Sequence, residues 1–426
     1  MGNELEKRFE SYGDRVAEAL MHADRDQPCR WYLKGLMLPG KRKSVEPMAA
    51  RVQPDNIRSA HQSMHHLVAD SPWSDRAVLS AVAEQVLPEL LGNEGPVWWI
   101  VDDTGFPKRG KHSVGVARQY CGQTGKRDNC QVAVSLSIAN ARGSLPIDYQ
   151  LYLPREWAED NARRDKCGVP EEMVFETKPA LAMRQIEAAL SAGYRRGVVL
   201  ADAAYGGDTA WREQLAGHGL SYAVAVRSTT TVWWGDHQPV PEPVSTGQRG
   251  RPRCRVKRDA HHQPISVFDV AQELPKRAWR EVSWREGVAG TLSSRFARVR
   301  VRAAQQDRPR DDEWLIIEWP EGAQEPAHYW FSNLPQGMQW EPLIDTVMGR
   351  WRIERDYQEL KQELGLGQYE GRNWRGFHHH ATLCIAAYGF LLLERLSGSK
   401  KNAARFEAPA LPEDFRPRGA GANATP

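Results

Sequence analysis

Two apolar runs in this chain end in acid. Val97-Trp-Trp-Ile-Val101 passes into Asp102 and Asp103, and Gly197-Val-Val-Leu-Ala201 passes into Asp202. A carboxylate at the end of a buried strand is costly to desolvate unless a cation or hydrogen bonds compensate. Ligand sites of α/β sheets gather at the carboxyl ends of strands, so two such acids side by side could share a divalent cation. A turn or helix-cap role accounts for either acid alone, Asp102 before Thr104-Gly105 and Asp202 before Tyr205-Gly206. A third acid, Glu354, lies in Arg350-Trp-Arg-Ile-Glu354, with Lys361 further along. Steps of four and seven residues nearly complete whole helical turns, which places Arg350, Glu354 and Lys361 on one stripe. Asp356, Glu359 and Glu363 compete as acids there, and a solvated helix laced with ion pairs has the same composition.

The elements that must position these groups follow from periodicity. From Leu5 to about Gly92, apolar residues such as Val16, Leu20, Ile57, Ala60, Met64 and Leu67 recur at helical spacing, which predicts a helical N-terminal unit. Within it Lys41, Arg42 and Lys43 follow a turn and could touch phosphates, with a helix from Val45. Strands are predicted at Val97–Val101, Ser113–Tyr120, Cys130–Ile138 and Ile147–Leu153, forming an antiparallel meander. A helix over Lys178–Ser191, a strand over Gly197–Asp202, a helix near Thr209–Ala216 and a strand at Tyr222–Arg227 come next. Short strands, including Val299–Val301 and Trp314–Trp319, fill a segment rich in Pro, Gly and Arg. A long helix from Pro342 to about Leu364 and a second from His380 to Leu396 precede a tail without periodicity.

Composition narrows the class. At 426 residues the chain exceeds one common domain, and 41% hydrophobic with 26% charged residues excludes wholesale disorder and collagen. A net charge of +3 is too small to announce a polyanionic partner, so the placement of cations has to decide. The six cysteines contain no Cys-x-x-Cys pair and read as reduced packing residues. No run is apolar and long enough to span a bilayer, and the start has no apolar signal core, so a cytoplasmic protein is expected. A Ser/His/Asp arrangement with a glycine-framed elbow is absent.

Together these residues resemble the DDE transposases of bacterial insertion sequences, in the insertion-sequence-four superfamily and its seven-zero-one-like branch. Asp102-Asp-Thr-Gly-Phe-Pro-Lys108 is similar to the first-acid motif, whose metal-binding Asp sits two residues before Thr or Ser, favouring Asp102 over Asp103. Leu200-Ala-Asp-Ala-Ala-Tyr-Gly206 resembles the second-acid motif. Arg350, Glu354 and Lys361 match the spacing of the third signature, although Val347 stands where that signature opens with Tyr. Ser113–Tyr120, Asn129-Cys-Gln131, Gly371-Arg372 and Gly376-Phe-His-His-His380 resemble the branch, so the likeness runs from about residue 30 to 396.

The resemblance implies an α/β fold, an RNase H-like mixed sheet with flanking helices, interrupted by a β-rich insertion and preceded by a helical N-terminal domain. The expected division is 1–92 helical and DNA-binding, 93–227 and 327–397 catalytic, 228–326 insertion, and 398–426 a disordered tail. It implies that Asp102, Asp202 and Glu354 are catalytic and bind Mg²⁺, with Mn²⁺ able to substitute, and that Arg350 and Lys361 hold phosphates. The implied activity is hydrolysis and strand transfer at the inverted ends of an insertion sequence. A non-catalytic DNA-binding regulator and a nuclease without strand transfer are the alternatives. Expected partners are duplex DNA, as transposon ends and target, and a second protomer on paired ends, in a bacterial nucleoid-associated setting.

Two arginine groups support a duplex partner. Arg249-Gly-Arg251-Pro resembles an AT-hook core, and Arg298, Arg300 and Arg302 alternate onto one strand face. Among the 16 tryptophans, Trp233, Trp234 and Trp330 are candidates to hold a flipped base, with core packing the plainer reading. His378, His379 and His380 point in different directions on a helix, which argues against a metal site and for helix-start or phosphate contacts.

Overall fold

Five helices open the chain: α1 (Gly2–Glu18), α2 (Asp26–Met37), α3 (Val45–Val52), α4 (Ile57–Ala69) and α5 (Asp75–Leu91). The computed structural model describes residues 2–93, 95–242, 255–287 and 290–398. The helical periodicity becomes a shared core in which Val16, Leu20, Leu33, Leu36, Met64, Val82 and Val86 are buried. Ser74 caps α5 by accepting from Ala77 N at 3.2 Å, satisfying one of the donors a helix start leaves open. The cation cluster behaves differently from expectation. Lys43 is buried, its ammonium donating to Leu36 O at 2.6 Å and to Leu38 O, and Arg42 pairs with Glu370 at 2.9 Å. Lys43 therefore satisfies backbone carbonyls at a helix end instead of meeting phosphate.

The strands are β1 (Trp98–Pro107), β2 (Ala117–Cys121), β3 (Lys126–Asn140), β4 (Gly143–Leu151), β5 (Val198–Ala201) and β6 (Tyr222–Ala225). Between β4 and β5 lie α6 (Arg155–Ala158), α7 (Asn161–Cys167) and α8 (Lys178–Ser191); α9 (Ala203–Gly206) and α10 (Thr209–Gly217) lie between β5 and β6. The strand expected at Ser113–Tyr120 begins only at Ala117, because Gly115 turns the chain at φ +71°. β1 pairs antiparallel with β3 and parallel with β5, and β5 pairs parallel with β6. With neighbours on both edges, Trp98–Val101 is buried throughout, which explains its unbroken apolar run. Thr177 caps α8, accepting from Ala180 N at 3.3 Å with Pro179 in the first turn.

The segment after β6 carries β7 (Thr231–Trp233), β8 (Ile265–Ser266), α11 (Val267–Glu273), β9 (Arg280–Gly287), β10 (Gly290–Ala303), β11 (Asp312–Trp319) and β12 (His328–Ser332). Instead of standing apart, it extends the same sheet. β12 pairs antiparallel with β6, setting Phe331 opposite Val224, and the strand order is β2-β3-β1-β5-β6-β12-β11-β10-β7-β8, with β4 on β3 and β9 on β10. A buried fork ties the two halves: Arg212 of α10 donates to both carboxylate oxygens of Glu313 on β11, at 2.8 and 2.9 Å, and Tyr222 donates to the same carboxylate at 2.6 Å.

The last helices among the described residues are α12 (Trp340–Met348), α13 (Trp351–Gln362) and α14 (Trp374–Ser397). The single helix expected from Pro342 to Leu364 is thus two. Around Gly349 and Arg350 the backbone bonds tighten to three-residue steps, Gly349 N to Thr346 O at 3.0 Å and Ile353 N to Arg350 O at 3.1 Å. The second helix starts at Trp374, six residues earlier than expected, where Asn373 accepts from Gly376 N at 3.0 Å. His378, His379 and His380 consequently lie inside α14 and are buried, so they are neither helix-start nor phosphate contacts. α14 packs against α5, α2 and β4, joining the N-terminal helices to the sheet. No described helix is long and apolar enough to cross a membrane.

Candidate active site

The register of β1 and β5 brings two of the acids together. Trp98, Trp99 and Ile100 stand opposite Val198, Val199 and Leu200. Both chains continue two residues beyond the last pair, to Asp102 and Asp202, so the carboxylates leave adjacent strands at one level, where strand spacing is about 4.8 Å. Asp202 Oδ1 accepts from Ala204 N at 2.9 Å and caps α9, so its capping role and its place beside Asp102 coexist. The close fit of α9 on β6 fixes this turn: a Cβ on Gly206 would lie 2.1 Å from Ala225 O.

Asp102 and Asp103 have different partners. Asp103 pairs with Lys178, the first residue of α8. Asp102 accepts from Arg350 Nη2 at 3.2 Å, and its side chain keeps 16% of its surface. Burial pushes the Asp102 carboxyl up to about 7; Arg350 opposes this, while Asp103, Asp202 and Glu354 push it further. Both remaining acids of the set are therefore within electrostatic reach of Asp102.

Helix α13 supplies the third acid. Its apolar underside, Ile353, Tyr357 and Leu360, is buried, and this orients the opposite stripe. Arg350 Nη1 donates to Glu354 Oε1 at 3.0 Å, so one guanidinium joins Asp102 and Glu354. Glu354 sits in the first turn of α13, where the helix dipole favours negative charge, and is 69% exposed. Lys361, two turns on, donates to Gly105 O at 3.2 Å beside β1, and burial pushes its ammonium down. Two of the competing acids point elsewhere: Asp356 is buried against the Ser144 hydroxyl, and Glu359 pairs with Arg395.

The structure thus brings together Asp102, Asp202, Glu354, Arg350 and Lys361. Among the described residues, no three His, Cys, Asp or Glu side chains stand close enough together to hold a metal ion as they are placed. The donor set nevertheless suits a divalent cation: hard carboxylate oxygens, one on a carboxyl strained by burial and neighbouring acids, already gathered around a cationic guanidinium. Val347 is buried and offers no hydroxyl. Two neighbours escaped the sequence reading. Lys178 could have been noticed only as a cation beside the Thr177 cap. Tyr205, three residues past Asp202, has a buried hydroxyl without a hydrogen-bond partner, near Asp103, Asp102 and Asp202.

The candidate DNA-binding arginines of β10 lie apart from the acids. Arg298 and Arg300 are on β10, five strands from β1 along the sheet. Both guanidiniums lie over Trp314, at 4.8 and 4.9 Å; Arg298 also donates to Met338 O at 3.2 Å and Arg300 to Asp312 O at 2.8 Å. Arg249 and Arg251 fall outside the described residues. Trp233 and Trp330 are buried, as core packing requires.

Residues 15–291 match the DDE superfamily endonuclease family, a span that contains Asp102 and Asp202 and ends before Glu354. The chain is a member of the DDE superfamily endonucleases. It is also similar to a probable transposase for insertion sequence element IS701 from Microchaete diplosiphon, 31% identical over 220 residues. That alignment covers 48% of this chain and 53% of the relative, so the chain spans about half the length of the curated relative it matches. In this DDE endonuclease the sheet order sets Asp102 and Asp202 at the ends of adjacent strands.

Proposed function

We propose that this DDE endonuclease is a transposase that hydrolyses phosphodiesters at the ends of an insertion sequence and transfers the freed 3′-hydroxyls to target DNA. The observation that carries the reading is the meeting of Asp102 and Asp202 at the ends of parallel β1 and β5, with Glu354 joined to Asp102 through Arg350. The order β4-β3-β1-β5-β6, parallel only at β1–β5 and β5–β6, supports an RNase H-like core. Likeness to a transposase over 220 residues supports the mobile-element role.

Asp102, Asp202 and Glu354 would hold Mg²⁺ or Mn²⁺, which when bound lowers the pKa of an attacking water and steadies the leaving oxygen. The chain's own groups do the rest. Arg350 and Lys361 flank the acids and can take phosphate oxygens, neutralising charge that grows as the new P–O bond forms and the P–O3′ bond breaks. Strand transfer repeats the displacement with a 3′-hydroxyl in place of water. The β10 arginines supply a second, sequence-independent contact to the duplex backbone. Two ends handled together call for two protomers on DNA.

Asp202→Asn tests the assignment. It should abolish Mg²⁺-dependent cleavage of end-bearing DNA while leaving end binding largely intact, since one neutral oxygen still caps α9. Full cleavage by that variant refutes the reading.

A further inference from the structure

We propose that Arg350 is an internal counter-ion that occupies the cation seat of the acid cluster until a divalent metal displaces it. The inference rests on the metal-binding reading above and adds a regulatory step to it. Three observations carry it.

First, the guanidinium stands between the acids. Its two terminal nitrogens reach different carboxylates, Asp102 Oδ1 at 3.2 Å and Glu354 Oε1 at 3.0 Å, and Asp202 lies within its electrostatic reach. A cation bridging two carboxylates is the arrangement a divalent ion would take over. Second, the fit is incomplete. Arg350 Nε is buried with no hydrogen-bond partner, so the guanidinium leaves one donor unpaired where it rests. A phosphate oxygen could satisfy that donor together with a terminal nitrogen. Third, the joint lets the acid move. Arg350 is the N-cap residue of α13, directly after the tightened turn at Gly349, and the Glu354 side chain is 69% exposed with Arg350 its ion-pair partner. Turning the guanidinium away frees both carboxylates without unpacking the buried Ile353, Tyr357 and Leu360.

The consequence is competition. In the absence of DNA, metal must displace a cation to enter; once a DNA phosphate draws Arg350 aside, the same acids bind metal more tightly. By linkage, whatever holds Arg350 on phosphate raises metal affinity by the factor through which metal raises phosphate affinity.

The test is Mn²⁺ binding to the full-length protein without DNA, by titration calorimetry, in wild type, Arg350→Gln, Arg350→Lys and Asp202→Asn. Removing a full charge from between the acids should tighten Mn²⁺ binding in Arg350→Gln by about tenfold or more. Arg350→Lys, which keeps the charge but not the fork, should fall between the two and keeps the comparison available if the glutamine variant fails to fold. Equal or weaker Mn²⁺ binding in the folded Arg350 variants, with binding lost in Asp202→Asn, overturns the counter-ion role and leaves the metal site standing. Unchanged Mn²⁺ binding in Asp202→Asn overturns the metal reading itself, and the counter-ion role with it.

Discussion

Gly349 rests on Trp98: a Cβ at Gly349 would meet the indole carbons Cδ2 and Cε3 at 3.0 Å, so the joint between α12 and α13 sits against the first residue of β1. The glycine is needed for space, since its φ of −59° suits any residue. Gly349→Val should push α13, and with it Glu354, away from the strand ends. The expected cost is about 1–3 kcal/mol of stability, the usual range for overpacking. Cleavage should fall further than DNA binding, and thermal melting beside single-turnover cleavage measures both.

The fork between Arg212 and Glu313 makes a sharper stability prediction. Arg212 keeps 1% of its side-chain surface, so Glu313→Ala leaves a buried guanidinium facing a lost partner. That should cost about 3–5 kcal/mol in urea unfolding, whereas replacing both partners with apolar residues should recover most of the loss. A double variant as unstable as Glu313→Ala would show that the fork contributes more than mutual neutralisation.

The buried histidines of α14 predict acid sensitivity. His380 stands between the Tyr32 hydroxyl at 2.8 Å and Gly365 O at 3.0 Å, a pattern that suits the neutral ring with Nε2 donating to the carbonyl. Burial pushes its imidazole down to about 4. A depressed folded-state value means that the contribution is complete above about 6.5, the unfolded value, and is lost as pH falls toward 4. Each pKa unit corresponds to about 1.4 kcal/mol. Urea midpoints between pH 7 and pH 4 should therefore drop steeply in wild type and less steeply in His380→Gln.

Arg300 tests the proposed second DNA surface. Arg300→Ala removes a guanidinium held over Trp314, on the strand face it shares with Arg298. If that face meets the backbone of the duplex, affinity should weaken equally for end and random sequences. The slope of log affinity against log salt should shrink by about one. An unchanged slope would place the duplex elsewhere.

Much of this arrangement was legible in residue order. Asp102 and Asp202 stood out because each ends an apolar run, and the runs are apolar because β1 and β5 are interior strands. The bounds of α8 follow from its Thr177-Lys-Pro start, and the Arg350, Glu354 and Lys361 stripe survives because it lies on one side of the break. What could not be read depends on distant contacts. Helical period runs uninterrupted through Gly349, and the indole of Trp98 meets it from far along the chain. Lys43 has a solvated composition around it, yet its ammonium finds Leu36 O and Leu38 O at the end of α2. β12 pairs with β6 on one edge and with β11 on the other and so joins the insertion to the core sheet, a non-local choice that no turn signal encodes.

Anomalous diffraction from Mn²⁺ in crystals of the full chain bound to paired DNA ends tests most directly whether Asp102, Asp202 and Glu354 hold divalent ions in one pocket. Manganese peaks coordinated by Asp102 and Asp202, with Glu354 turned in and Arg350 on phosphate, are the predicted result. Peaks elsewhere, or an occupied metal site that leaves out both strand-end aspartates, would contradict it.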